Sequence, residues 1–171
     1  DVAAYQTFFN STQYNMVGCG DPLPITGVEV SGGFLPLLGV DPALGRWFTP
    51  EECRKGARPV ALLTDAFWRR QFGADPAVVG SAITGERNTD YITGPVTIVG
   101  VLPPSFDFGA VFSPGRHVDV FFPAYPDFWR TWGNTLAVVG ASHRLHQRIE
   151  PSYGADDVAI QGVRHEDGTG R

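Results

Sequence analysis

His143 and His146 stand three residues apart, a spacing that on a helix sets both imidazoles on one face, with Asp156 and Asp157 downstream. A third ligand would let such a pair hold zinc and activate a water for hydrolysis. Pro151 and Gly154 interrupt the text, however, and no H-E-x-x-H context exists, so the pair reads as part of a solvated tail. His117 and His165 read as loop residues. Glu51-Glu52 and Asp156-Asp157 are adjacent carboxylates of the kind that share acid and base roles. In the first turn of a helix, a carboxylate is better explained by the macrodipole and the cap.

Other signatures are incomplete. "VSGGF" places Ser31 wrongly for a nucleophile elbow, and "GCGDPL" lacks the third glycine and following helix of a dinucleotide fingerprint. Cys19 and Cys53 are too few for a zinc cage and lack redox-pair spacing. They could close one disulfide, which in the chain-entropy model stabilises by ~3–4 kcal/mol in an oxidising compartment; the alternative is two free thiols. The stretch "FFPAYPDFWRTWG" is the strongest candidate contact. Its Phe121, Phe122, Tyr125, Phe128, Trp129 and Trp132 read equally as a platform for a partner or ligand and as a loop packed on the core.

The elements that must carry these residues are mostly strands. "ITGVEV" gives one over Ile25–Val30, with Glu29 opposite Val28 and Val30 and therefore expected on a solvated face. Val60–Leu63 is a short, wholly apolar run, the mark of a buried strand; Val96–Val101, Val118–Phe122 and Leu136–Val139 are further strands, and an edge strand opens at Ser81–Ile83. The main helix is Asp65–Phe72, capped by Thr64 or Asp65 and stopped by Gly73. Asp41-Pro42 and Thr49-Pro50 are helix starts, the second with Glu52 at capping-box spacing, and Phe34–Leu38 is a helical turn ended by Gly39. The text before "GCGDPLP" is polar-aromatic and gives no assigned element, and the run "PPSFDFGAVFSPGRH" reads as a proline-glycine loop. The fold class is α+β: a β-rich mixed sheet with one main helix and several short capped helices.

At 171 residues with 43% hydrophobic content, the chain can bury one substantial core. The net charge of −5 and the lack of a basic cluster exclude a nucleic-acid footprint. No apolar run reaches the ~18–20 residues of a membrane span. The chain starts without methionine and reads as a piece of something longer.

"GVEVSGGFLPLLGVDPALGRWFTPEE", "PVALLTDAFWRRQFGADPAVVGSAI", "VTIVGVLPPSFDF" and "VDVFFP", in this order, resemble the MacB-like periplasmic core domain of ABC transporter permeases of the FtsX/MacB type. The resemblance runs from about Ala3 to Gly140, so residues 1–140 are expected to form that domain, as a β-rich lobe with a flanking piece, and 141–171 a poorly patterned tail. It implies an extracytoplasmic domain on the periplasmic side of the inner membrane, inserted between the first two membrane helices, with no catalytic residue, cofactor or metal of its own. A cytoplasmic ABC ATPase and a periplasmic adaptor are the implied partners, and the full protein is expected to be dimeric. Cys19 and Cys53 are no part of the pattern. The rival expectation is a periplasmic ligand-binding or sensing domain that uses the aromatic loop 121–132.

Overall fold

The computed structural model describes residues 2–6, 12–17, 23–86, 93–112, 115–125 and 136–140. Its strands are β1 (Val2–Gln6), β2 (Thr12–Val17), β3 (Leu23–Val30), β4 (Leu44–Gly45), β5 (Val60–Leu63), β6 (Ala82–Glu86), β7 (Thr93–Val101), β8 (Val120–Pro123) and β9 (Leu136–Gly140). The α-helices are α1 (Phe34–Leu37), α2 (Asp65–Phe72) and α3 (Phe108–Phe112), and a 3-10 turn covers Pro76–Val78. No helix among the described residues is long and apolar enough to cross a membrane.

All nine strands join one mixed sheet in the order β2-β6-β7-β5-β8-β3-β1-β9, with β4 on β7. Because β2 also pairs with β3, the strands from β2 to β3 close into a ring, and β1 and β9 stand outside it as a two-stranded ribbon. A small ring is filled by its own side chains. Here Met16, Ile25, Ala61, Leu63, Ile83, Val96, Ile98, Val101, Val120 and Phe122 form one core, capped by Phe67 of α2 and by Val78. The opposite face carries Val28, Val30, Val60, Leu62, Val99 and Phe121, covered by Phe34 and Leu35 of α1 and Phe108 of α3.

Strand β5 shows the rule that joins sequence to packing. Side chains alternate faces, so Ala61 and Leu63 point into one core and Val60 and Leu62 into the other, as a wholly apolar strand requires. Opposite it, β7 slips register between Ile98 and Gly100. The extra residue turns Val99 to the outer core and returns Val101 to the inner one.

Helix α2 occupies the expected residues. The Thr64 hydroxyl accepts from Phe67 N at 3.4 Å, and Gly73 ends the helix in the left-handed region at φ 59°. Thr49 and Glu52 form both arms of a capping box, Thr49 N to Glu52 Oε2 at 2.8 Å and Glu52 N to Thr49 Oγ1 at 3.4 Å. Turns rather than a helix follow it.

Several further expectations are corrected, and two strands were not foreseen. Asp41-Pro42 starts no helix; Ala43 N donates to Val101 O at 2.8 Å and the chain enters β4 instead. Residues 2–6 and 12–17 are strands, although their polar-aromatic text alternates too weakly to mark them. Phe108–Phe112, read as loop, is helical, with the Asp107 carboxylate accepting from Ala110 N at 3.1 Å. Glu29 is 4% exposed rather than solvated, because closure of the ring puts its face inside, beside Phe122 in register.

Candidate functional site

At the end of β3 the chain turns through Ser31, Gly32 and Gly33 into α1. This turn, with Phe48, Cys53 and Arg54, lines an open groove of about 610 Å³. Its shape depends on a close contact: a Cβ on Gly32 would lie 2.6 Å from Cys53 Sγ, so a side chain there would have to displace the thiol. Ser31 is held on both sides by β1, its N–H donating to Ala4 O at 2.8 Å and its Oγ accepting from Ala4 N at 3.0 Å.

The groove is poorly equipped for covalent chemistry. Cys53 carries a free thiol. Burial pushes this thiol up, as do the neighbouring charges of Glu52 and Glu51, against the Gly32 backbone N–H that favours the thiolate. A thiol held protonated is a weak nucleophile. Ser31 Oγ is engaged with backbone, and among the described lining residues there is no histidine or carboxylate to activate it. The candidate disulfide partner, Cys19, lies outside the described residues, as do His143, His146, Asp156, Asp157 and His165. Among the described residues no three His, Cys, Asp or Glu side chains gather as a metal site. Glu51 and Glu52 do not form a catalytic pair, since Glu52 is bound to the Arg46 guanidinium at 2.7 and 2.9 Å.

The aromatic candidates divide. Phe121 is wholly buried in the outer core and Phe122 is buried in the inner one, so neither presents a ring to a partner. The contact expected of them is corrected by their positions on β8, the strand between β3 and β5. Tyr125 is half-buried, and Phe128, Trp129 and Trp132 lie outside the described residues. A second aromatic group, scattered in sequence, is assembled by the fold. Tyr5 meets Phe34 at 5.4 Å, Phe108 at 5.3 Å and Phe112 at 5.1 Å between ring centroids, and Phe108 meets Phe121 at 5.5 Å. Burial raises the Tyr5 phenol and keeps it neutral.

Sequence reasoning also missed Asp119, which is 2% exposed. Its carboxylate accepts from Thr26 N at 2.9 Å and Arg70 Nη2 at 2.7 Å, and its carbonyl accepts from Thr64 N at 3.0 Å. Those bonds tie β3, β8 and α2 at one point. A lone aspartate in the apolar run "VDVFFP" was the available signal.

The described residues thus form a closed ring, a terminal ribbon and polar ties between elements. A family model described as the MacB-like periplasmic core domain matches residues 1–158. The chain belongs to the MacB-like periplasmic core domain family. The match passes the boundary expected at residue 140. No curated protein matches the chain significantly. Among solved structures, the extracellular domain of the noncanonic ABC-type transporter YknZ from Gram-positive bacteria is similar at 17% identity and a TM-score of 0.51, over 78% of this chain and 59% of that one. The periplasmic region of MacB from Actinobacillus actinomycetemcomitans gives 14% identity and a TM-score of 0.45, over 73% and 58% of the two chains. The MacB-like domain described here thus spans less than two thirds of either relative, and the YknZ likeness supports the same α+β fold.

Proposed function

We propose that this MacB-like domain is the extracytoplasmic part of an ABC transporter permease, inserted between two membrane helices, and that it passes their displacement to a partner or substrate in the periplasm during export. The observation that carries the reading is the match of the MacB-like periplasmic core domain model to residues 1–158. ATP would be hydrolysed on a separate cytoplasmic ATPase, a periplasmic adaptor would be the outer partner, and the full permease would be a dimer. The ligand-sensing alternative through residues 121–132 is not favoured, because Phe121 and Phe122 are buried.

The test is the reading frame around the chain, followed by topology mapping of its product. One membrane-spanning segment upstream and three downstream, with this domain outside the cytoplasm, is the expected result. A frame with only a secretory signal would overturn the proposal.

A further inference from the structure

In a chain whose net charge is −5, the loop before β5 gathers three cations, Arg54, Lys55 and Arg58, all exposed. Arg46, Arg69 and Arg70 are each paired with a carboxylate, on Glu52, Asp65 and Asp119. The side chains of Arg54, Lys55 and Arg58, by contrast, make no hydrogen bond or ion pair among the described residues. Arg54 stands in the lining of the groove at the end of β3, whose other walls are largely apolar: Phe48, Pro50, Cys53 and Ala124 around the Gly32–Gly33 turn. The fold fixes two of those walls, since Phe48 belongs to the outer core and Ala124 N donates to Val30 O at 2.8 Å. At about 610 Å³ the groove falls within the ~300–1,000 Å³ usual for small-molecule sites. Negative charge is also near, because burial and then Glu52 and Glu51 raise the Cys53 thiol. Glu52 is bound to Arg46, which leaves Glu51 against three cations.

We propose that this groove binds an anionic amphiphile, with an unbranched acyl chain along Phe48, Pro50, Cys53 and Ala124 and its carboxylate on the Arg54 guanidinium. Apolar walls hold the chain because each methylene that leaves water tightens binding, about threefold when fully buried. The planar fork of a guanidinium matches the two oxygens of a carboxylate, and Arg54 has no other acceptor among the described residues. Lys55 and Arg58 add to the local positive field and draw the head group in without having to touch it. A short carboxylate finds the head site but no tail contact. A cationic amphiphile finds the walls but meets like charge at the head.

Cys53 supplies the reporter, since a chain lying in the groove covers its half-buried thiol and slows alkylation by uncharged iodoacetamide. On the intact chain, with alkylation read on the Cys53 peptide by mass spectrometry, decanoate below its micelle concentration should protect the thiol saturably. Hexanoate, four methylenes shorter, should bind at least ~10-fold more weakly, and decyltrimethylammonium should give no protection. Arg54→Gln should weaken decanoate about tenfold or more, the effect of a lost charged hydrogen bond, whereas Arg69→Gln on α2 should leave it unchanged. Each variant is compared with and without ligand, so a change in the reactivity of the thiol itself cancels. No protection by decanoate, equal protection by hexanoate or decyltrimethylammonium, or undiminished protection in Arg54→Gln would overturn the proposal. The site does not rest on the permease reading, and alkylation needs no membrane, so the two fail separately.

Discussion

Arg70, whose side chain is 54% exposed on α2, donates a 2.7 Å bond to the carboxylate of Asp119, which is 3% exposed. The pair is therefore asymmetric: one end stands in water and the other is an interior anion that also accepts from Thr26 N. Asp119→Ala removes the acceptor for both donors and leaves the part-buried Thr26 N–H without it. We expect a loss of ~2–4 kcal/mol, against a smaller ~1–3 kcal/mol for Arg70→Ala, which leaves the interior carboxylate its Thr26 bond but no counter-charge. Urea midpoints at constant m-value measure both, and equal losses would show that the Thr26 bond carries no weight.

Gly45 and Gly100 face each other where β4 lies on β7. Gly45 has φ +76°, and a Cβ there would meet Val99 O and come within 2.7 Å of Gly100 Cα. Gly56 has a similar φ, +83°, but open space around it. Alanine at Gly56 should cost only the ~1–2 kcal/mol of left-handed backbone, whereas alanine at Gly45 adds a backbone clash and should cost at least ~1–3 kcal/mol more. Thermal melts of the two variants side by side decide the matter.

Glu52 is lowered from its ordinary range, chiefly by its bond to Arg46, with the Thr49 N–H and the Arg46 charge acting the same way and burial opposing them. A carboxylate whose folded pKa is depressed adds stability that is present above its unfolded pKa of about 4.3 and is lost as pH falls through the folded value. The stability difference between wild type and Glu52→Gln should thus be present at neutral pH and shrink below about pH 4. For a partly exposed pair its size is ~0.2–1 kcal/mol. Urea titrations at several pH values check the sign; a gap that widens in acid would contradict it.

Cys53 should behave as a free, sluggish thiol. Its pKa is raised by burial and then by Glu52. The rate of alkylation by iodoacetamide should rise with pH through a midpoint above that of a free cysteine peptide in the same buffer. Thiol counting on the unfolded protein under non-reducing conditions should find Cys53 free; a blocked Cys53 would contradict this.

What the sequence determined by itself was local. The Thr64 cap and Gly73 stop lie within ten residues of each other and bound α2 without help from the rest of the chain. The run "VALL" announces a strand buried on both faces, and four long phrases in order carry the family resemblance. The tertiary structure decided whatever depends on a distant partner. Glu29 reads as solvated until β2 closes the ring with β6 and its face becomes the interior. Phe121 and Phe122 read as a platform until β3 and β5 flank their strand. Strand β1 is visible only through Val30 and the residues of β9, since a strand's ladder bonds are made to other segments. Caps act over a turn of chain, but burial and pairing are set by neighbours dozens of residues away, and no short window of sequence contains them.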